Sequence, residues 1–119
     1  MKSKLPKLVE TYVRAINDRN PAAFESAFAP DAVVKDVGRE LRGLTAISDW
    51  AKNEIFAVNV TMELLHVAGR DGQTVITAKI DGAFDRTGLP DPLVMEHQIT
   101  IAGDKITALT CKLSDRQAS

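Results

Sequence analysis

Asp36 lies in an apolar, β-patterned stretch, Ala32 to Arg42. A carboxylate on an apolar wall loses hydration, which raises its affinity for a proton and suits it to work as a general base. The same position also suits an ordinary turn residue at a strand end, facing water or capping the bend at Gly38. Tyr12 sits in the middle of a helical apolar stripe, where its ring packs and its hydroxyl, once buried, needs a partner. That partner is either a neighbouring backbone carbonyl or an oxyanion. His97 offers an imidazole that can serve as acid, base or oxyanion donor, or simply as an inward histidine with its hydrogen bonds made. Arg39, Glu40 and Arg42 form a charged patch just beyond Asp36, read as a solvated edge or as a grip for an anionic substrate tail.

Other chemistries have little support. His66 and His97 are too far apart in sequence to form a short ligand motif, and no cluster of Cys and His has metal spacing, so no metal is expected. No glycine-rich phosphate loop follows a strand and no serine sits in a nucleophile elbow, which argues against nucleotide binding and serine hydrolysis. Cys111 alternates with Leu109 and Leu113 and reads as packing. As the single cysteine it makes no internal disulfide, in keeping with a reducing cytoplasm. The net charge of -1 gives no drive toward nucleic acid or acidic membranes, and no apolar run approaches the roughly 18 residues of a membrane span. With 119 residues, 45% of them hydrophobic, the chain is expected to form one domain over 1–119 with a packed core.

The elements that must position these side chains follow from periodicity. Leu5, Leu8, Val9, Tyr12, Val13 and Ile16 recur at helical spacing and predict a first helix. Asn20 before Pro21 predicts an N-cap and a short second helix ending near Pro30. Residues from Ala32 to Arg42 alternate around a Val37-Gly38-Arg39 bend, which puts Val34 and Asp36 on one face. Thr45 is expected to cap a third helix with Ile47, Trp50, Ala51 and Ile55 buried. Val58, Val60, Met62 and Leu64 then alternate, and a turn at Arg70-Asp71-Gly72 leads to Ile76, Ala78, Ile80 and Phe84 on one face. The polar loop from Asp85 to Pro92 is long enough to act as a lid. Leu93 to Ile101 and Ile106 to Leu113 make a closing hairpin around Gly103-Asp104, and the tail from Asp115 to Ser119 is expected to fray. In the first of these strands Ile99 and Ile101 face the core, so Met95 and His97 do too, while Glu96, Gln98 and Thr100 face away. Helices first and a sheet afterward predict an α+β fold: a cone-shaped cup of three N-terminal helices packed on a curved, mostly antiparallel sheet that encloses a cavity.

Three segments stand out: Tyr12-Val13-Arg14-Ala15-Ile16-Asn17, Phe28-Ala29-Pro30-Asp31-Ala32-Val33-Val34-Lys35-Asp36 and Gly43-Leu44-Thr45-Ala46-Ile47. Through them the sequence resembles the SnoaL-like polyketide cyclases and ketosteroid isomerases of the nuclear transport factor 2-like superfamily, across nearly the whole chain. In ketosteroid isomerases an aspartate base moves a proton while a tyrosine and a protonated aspartate bind the enolate oxygen. The resemblance places Asp36 at the base and Tyr12 at the tyrosine. Its third position falls on His97 or, with one residue less gap, Glu96; alternation selects His97, a departure from the isomerase pattern.

The resemblance thus implies an isomerase, cyclase or dehydratase needing no cofactor, with Asp36 as base and Tyr12 and His97 stabilising an enolate. Trp50, Met62, Phe84 and Met95 are the expected cavity lining, and the expected ligand is a small apolar or carbonyl-containing molecule. An aromatic content of only 5% leaves few rings to stack a flat steroid, which favours a smaller ligand. The limonene type of epoxide hydrolase needs an arginine between two aspartates inside the cup, whereas Arg70 and Arg86 fall in loops. The alternative is a noncatalytic ligand-binding or dimeric interaction domain, because folds of this kind host both. The resemblance also implies a homodimer through the open sheet face, where Glu63, Glu96, Gln98 and Thr110 make a mixed surface.

Overall fold

The structure, a computed structural model, describes residues 6–70, 72–85 and 87–114. Leu5, Asp71, Arg86 and the tail from Asp115 to Ser119, which entered the sequence reading, lie outside the described residues. Helix α1 (Lys7–Asn17) buries Val9, Tyr12, Val13, Ala15 and Ile16, the stripe that its periodicity predicts. Helix α2 (Pro21–Ser26) starts as expected: the Asn20 side chain accepts from the Ala23 amide at 3.1 Å, with Pro21 in the first turn. It ends earlier than expected, because β1 (Phe28–Asp36) already begins two residues after Ser26 and carries Pro30 within it. The register of β1 shifts between Phe28 and Val33, and such an irregularity tolerates a residue with no N–H to donate.

The hairpin of β1 and β2 (Arg39–Arg42) turns over only two residues, Val37 and Gly38, both at positive φ (35° and 85°). That is the turn geometry that matches the twist of two antiparallel strands. Arg39 therefore belongs to the strand and not to the bend, and it pairs with Asp36. Helix α3 (Leu44–Ala51) starts from Gly43 rather than from a Thr45 cap. Gly43 holds φ 87°, a conformation that costs a residue with a Cβ, and its amide donates to the Ala32 carbonyl at 2.9 Å. A π-helical turn (Lys52–Phe56) follows directly. It carries the chain through Asn59 at φ 53°, so β3 (Thr61–Arg70) begins three residues later than Val58.

Strands β3, β4 (Gln73–Asp81), β5 (Leu93–Ala102) and β6 (Lys105–Leu113) complete a six-stranded open sheet of order β2-β1-β6-β5-β4-β3. Every neighbour is antiparallel except β1 with β6. The first hairpin thus lies between the second and third helices in sequence, so the helices do not all precede the sheet. An α+β fold with three helices stands all the same. Phe84 lies beyond the end of β4, and Leu65, the extra residue of a bulge in β3, is exposed. The end of α1 is tied to the edge strand by Asn17, which donates to the Met62 carbonyl at 3.0 Å and accepts from its amide at 2.7 Å. Between helices and sheet, Tyr12, Phe24 and Phe28 form an aromatic knot with centroids 4.9 to 6.2 Å apart. Among the described residues no helix is long and apolar enough to cross a membrane.

Candidate functional site

A cavity of about 590 Å³ opens on the helix-covered side of the sheet. Its wall is mostly apolar and includes Trp50, Met62, Phe84 and Met95, with Asp36 and His97 among its few polar members. Pairing in the sheet explains how two residues 61 positions apart in sequence meet there. Asp36 is the register partner of Cys111, and Cys111 is the partner of His97. The three form one row across β1, β6 and β5, side chains on the same face, with the backbones of Asp36 and His97 about 10 Å apart across two strand spacings. Cys111 lies between them on the cavity wall.

Tyr12 stands elsewhere. Its side chain is fully buried and does not line the cavity; the hydroxyl lies 2.8 Å from Nδ1 of His97, so it sits behind the histidine. Asp36 is held at the strand end by two donors to the same oxygen, Oδ2: the Trp50 indole at 3.0 Å and the Arg39 guanidinium at 2.8 Å. Oδ1 accepts no hydrogen bond from any described residue. Arg39 also grips both oxygens of Glu54, at 2.6 and 2.8 Å. Glu54 and Asn53 reach the cavity from the π-helical turn, and Asp85 and Leu89 from the loop after β4.

Burial sets the charge states along this row. His97 is pushed down to about 4, chiefly by loss of solvent and against the charge of Asp36, so it is neutral at pH 7. Burial also raises Tyr12 well above the tyrosine range, with Cys111 and Asp36 adding to the rise. The Cys111 thiol is raised by the same burial and by Asp36, and stays protonated. Asp36 therefore has the neutral Cys111 beside it on β6 and its cation, Arg39, beside it on the edge strand β2. Asp85, fully exposed, is lowered by hydrogen bonds from Thr87, whose amide donates at 2.9 Å. Among the described residues no group of three His, Cys, Asp or Glu side chains is placed to hold a metal.

Sequence reasoning set Arg39 aside as edge charge, gave Trp50 no polar role and did not consider Glu54. A signal existed for the first. Gly38 within a two-residue turn makes residues 36 and 39 cross-strand partners, and partners share a face. For Glu54 there was none: Ile47, Trp50, Ala51 and Ile55 are buried as their spacing predicts, and that spacing does not mark the π-helical turn that brings Glu54 to the cavity.

With the geometry in place, the chain can be set beside known proteins. The family described as SnoaL-like domain matches residues 9–109. No protein of curated function matches the sequence. Among solved structures the chain is similar to a candidate polyketide cyclase from Sinorhizobium meliloti, with 30% identity, 91% of this chain and 95% of that one covered, and a TM-score of 0.81. It is also similar to a protein with a ketosteroid isomerase-like fold from Catenulispora acidiphila, solved in complex with trimethylamine. That protein is 25% identical over 96% of this chain and 90% of its own, with a TM-score of 0.76. A nuclear transport factor 2-like protein from Cytophaga hutchinsonii, 14% identical over 98% and 96% with a TM-score of 0.71, shares the fold.

Proposed function

The chain belongs to the SnoaL-like domain family, and from that premise we propose that it is an isomerase, cyclase or dehydratase acting on a small, apolar, carbonyl-containing molecule. The observation that carries this reading is the row Asp36, Cys111, His97 on the wall of a largely apolar cavity. Helices and sheet form a cone-shaped cup around that cavity. A substrate whose carbonyl oxygen lies against His97 brings the carbon next to the carbonyl toward Asp36.

Asp36 takes a proton from that carbon through Oδ1, while Oδ2 stays anchored by Trp50 and Arg39. The electron pair moves onto the carbonyl oxygen, and His97 meets the enolate there. Returning the proton to a different carbon completes an isomerisation; attack of the enolate carbon on a second carbonyl closes a ring, the new alkoxide taking the proton from Asp36; departure of a β-hydroxyl as water, with the proton from Asp36, completes a dehydration. Each outcome uses the same first step, so that step is the one to test. In deuterated water the protein is expected to exchange the α-protons of a bound small ketone, and Asp36→Asn to reduce this exchange by two orders of magnitude or more. Equal exchange in that variant overturns the assignment of the base.

A second reading, a ligand-binding domain with no chemistry, draws on one observation: Arg39 and Trp50 both occupy Asp36 Oδ2, an arrangement that serves to anchor a wall as well as to orient a base. Ligand binding by thermal shift without proton exchange would select it. In either reading the chain works as one cytoplasmic domain paired with a second copy across the outer sheet face. On that face Gln98 donates to Glu96 at 2.8 Å and Lys112 lies 3.8 Å from the same carboxylate.

A further inference from the structure

We infer that Tyr12 is a positioning residue that fixes His97 in its Nε2–H form, so that His97 presents one N–H to the cavity and serves as a donor, not as a base. The 2.8 Å contact between the Tyr12 hydroxyl and His97 Nδ1 admits two arrangements. If Nδ1 carries the hydrogen, it donates to the tyrosine oxygen, and the hydroxyl hydrogen is left in a fully buried site with no acceptor among the described residues. If Nε2 carries it, Nδ1 accepts from the hydroxyl and both groups are satisfied. Only the second arrangement leaves nothing wanting.

The orientation of the ring follows. Nδ1 is directed at Tyr12, which is not on the cavity wall, while His97 itself is. Among the described residues no buried side-chain nitrogen or oxygen lacks a partner, and Nε2 makes no hydrogen bond to any of them, so it opens onto the cavity rather than into packing. Tyr12 is in turn clamped by Phe24 and Phe28, with centroids at 5.8 and 6.2 Å. Burial keeps both groups neutral near pH 7, so the hydrogen bond stays between neutral partners. The groups sharing the histidine's surroundings are Tyr12 from α1, Cys111 from β6, Asp36 from β1, and Glu54 and Asp85 at the cavity mouth. A ring held this way cannot take up a proton at Nδ1 without turning the hydrogen bond round and stranding the buried hydroxyl hydrogen of Tyr12, and Nε2, already protonated, has no lone pair for one. Along the row the wall then offers a substrate the His97 N–H as donor and the Asp36 carboxylate as acceptor, which selects a carbonyl oxygen as the group placed against His97.

The catalytic consequence rests on the enolising reading of the site; the tautomer does not, and the experiment separates them. Long-range proton–nitrogen NMR on nitrogen-labelled histidine reads each ring nitrogen directly, with the exposed His66 as internal control. At pH 7, His97 is expected to show a pyrrole-like Nε2 and a pyridine-like Nδ1; a pyrrole-like Nδ1 or an averaged pair overturns the inference. Tyr12→Phe is expected to abolish the single tautomer and to lower kcat about 10- to 100-fold with KM within about twofold; an unchanged tautomer in that variant overturns the role of Tyr12. Because Tyr12 is the only tyrosine of the chain, fluorotyrosine incorporation alters this one hydroxyl in a protein of the same shape. The stronger donor is expected to move the Nδ1 resonance and leave Nε2 pyrrole-like; no movement of Nδ1 also overturns it. If the wild type exchanges no ketone protons yet shows the Nε2–H form, the enolising reading falls and the positioning of His97 stands.

Discussion

The indole N–H of Trp50 donates to Asp36 Oδ2 across 3.0 Å, joining the inner face of α3 to the last residue of β1. A side chain read as apolar lining therefore also orients the proposed base. Positioning of this kind contributes to rate more than to stability, because it confines the carboxylate to one approach to the substrate.

Trp50→Phe keeps an aromatic ring in the wall and removes the donor. It is expected to lower kcat about tenfold through the loss of orientation, and to destabilise by about 1–3 kcal/mol because the smaller ring leaves space. Steady-state rates and urea unfolding on the same preparation check both. An unchanged kcat would show that the indole only packs.

Asp36→Asn should separate activity from folding. The Arg39–Asp36 pair is partly exposed, with side-chain accessibilities of 47% and 20%, and such pairs contribute only about 0–1 kcal/mol. The variant is expected to unfold within about 1 kcal/mol of wild type while losing nearly all proton exchange. A large loss of stability would instead make Asp36 a structural anchor.

Stability should fall on both sides of neutrality, for opposite reasons. His97 titrates from 6.5 when unfolded to about 4 when folded, so below pH 6.5 the unfolded chain takes up a proton that the folded chain refuses. This stabilisation is complete above pH 6.5 and declines by about 3 kcal/mol as the pH falls to about 4. Tyr12 and Cys111 shift upward from 10.0 and 9.0, so their contribution is complete below about pH 9 and lost as the pH rises beyond it. Urea midpoints across the pH range test this, with His97→Gln expected to flatten the acid limb and Cys111→Ala to weaken the alkaline one.

Ligand charge should matter at the cavity. Asp36, Glu54 and Asp85 line it, and no lysine or arginine is among its described lining residues. Of three ligands with one apolar body, the ketone and the amine are expected to bind at least about tenfold more tightly than the carboxylate, a difference of about 1.4 kcal/mol. Calorimetry at low and high salt reads it, and the gap should narrow as salt is added. Preferential binding of the carboxylate would point to Arg39 leaving Asp36 for the ligand.

Much of the frame was legible without coordinates. Helical spacing marked the buried stripe of α1, Asn20-Pro21 marked the start of α2, and strict alternation placed Val34 with Asp36 and His97 with Ile99, since both signals depend only on how successive side chains leave the backbone. Local patterns missed two features: the continuation of β1 through Pro30, admitted by an irregular register, and the π-helical turn after Ala51, which keeps Ile55 buried yet brings Asn53 and Glu54 to the cavity.

What no local pattern contains is which strand lies beside which, and in what register. The sequence by itself put Tyr12 and His97 on the inward faces of their elements and set Asp36 on one face with Val34, leaving it open whether that carboxylate faced a cavity or water. Only the tertiary structure decided that the parallel pairing of β1 with β6 sets Asp36 and His97 on either side of Cys111. It also decided that Tyr12 lies behind the histidine and not on the cavity wall. The physical reason is that side-chain direction is a property of a few consecutive dihedral angles, whereas register between distant strands is chosen by the packing of the whole core at once.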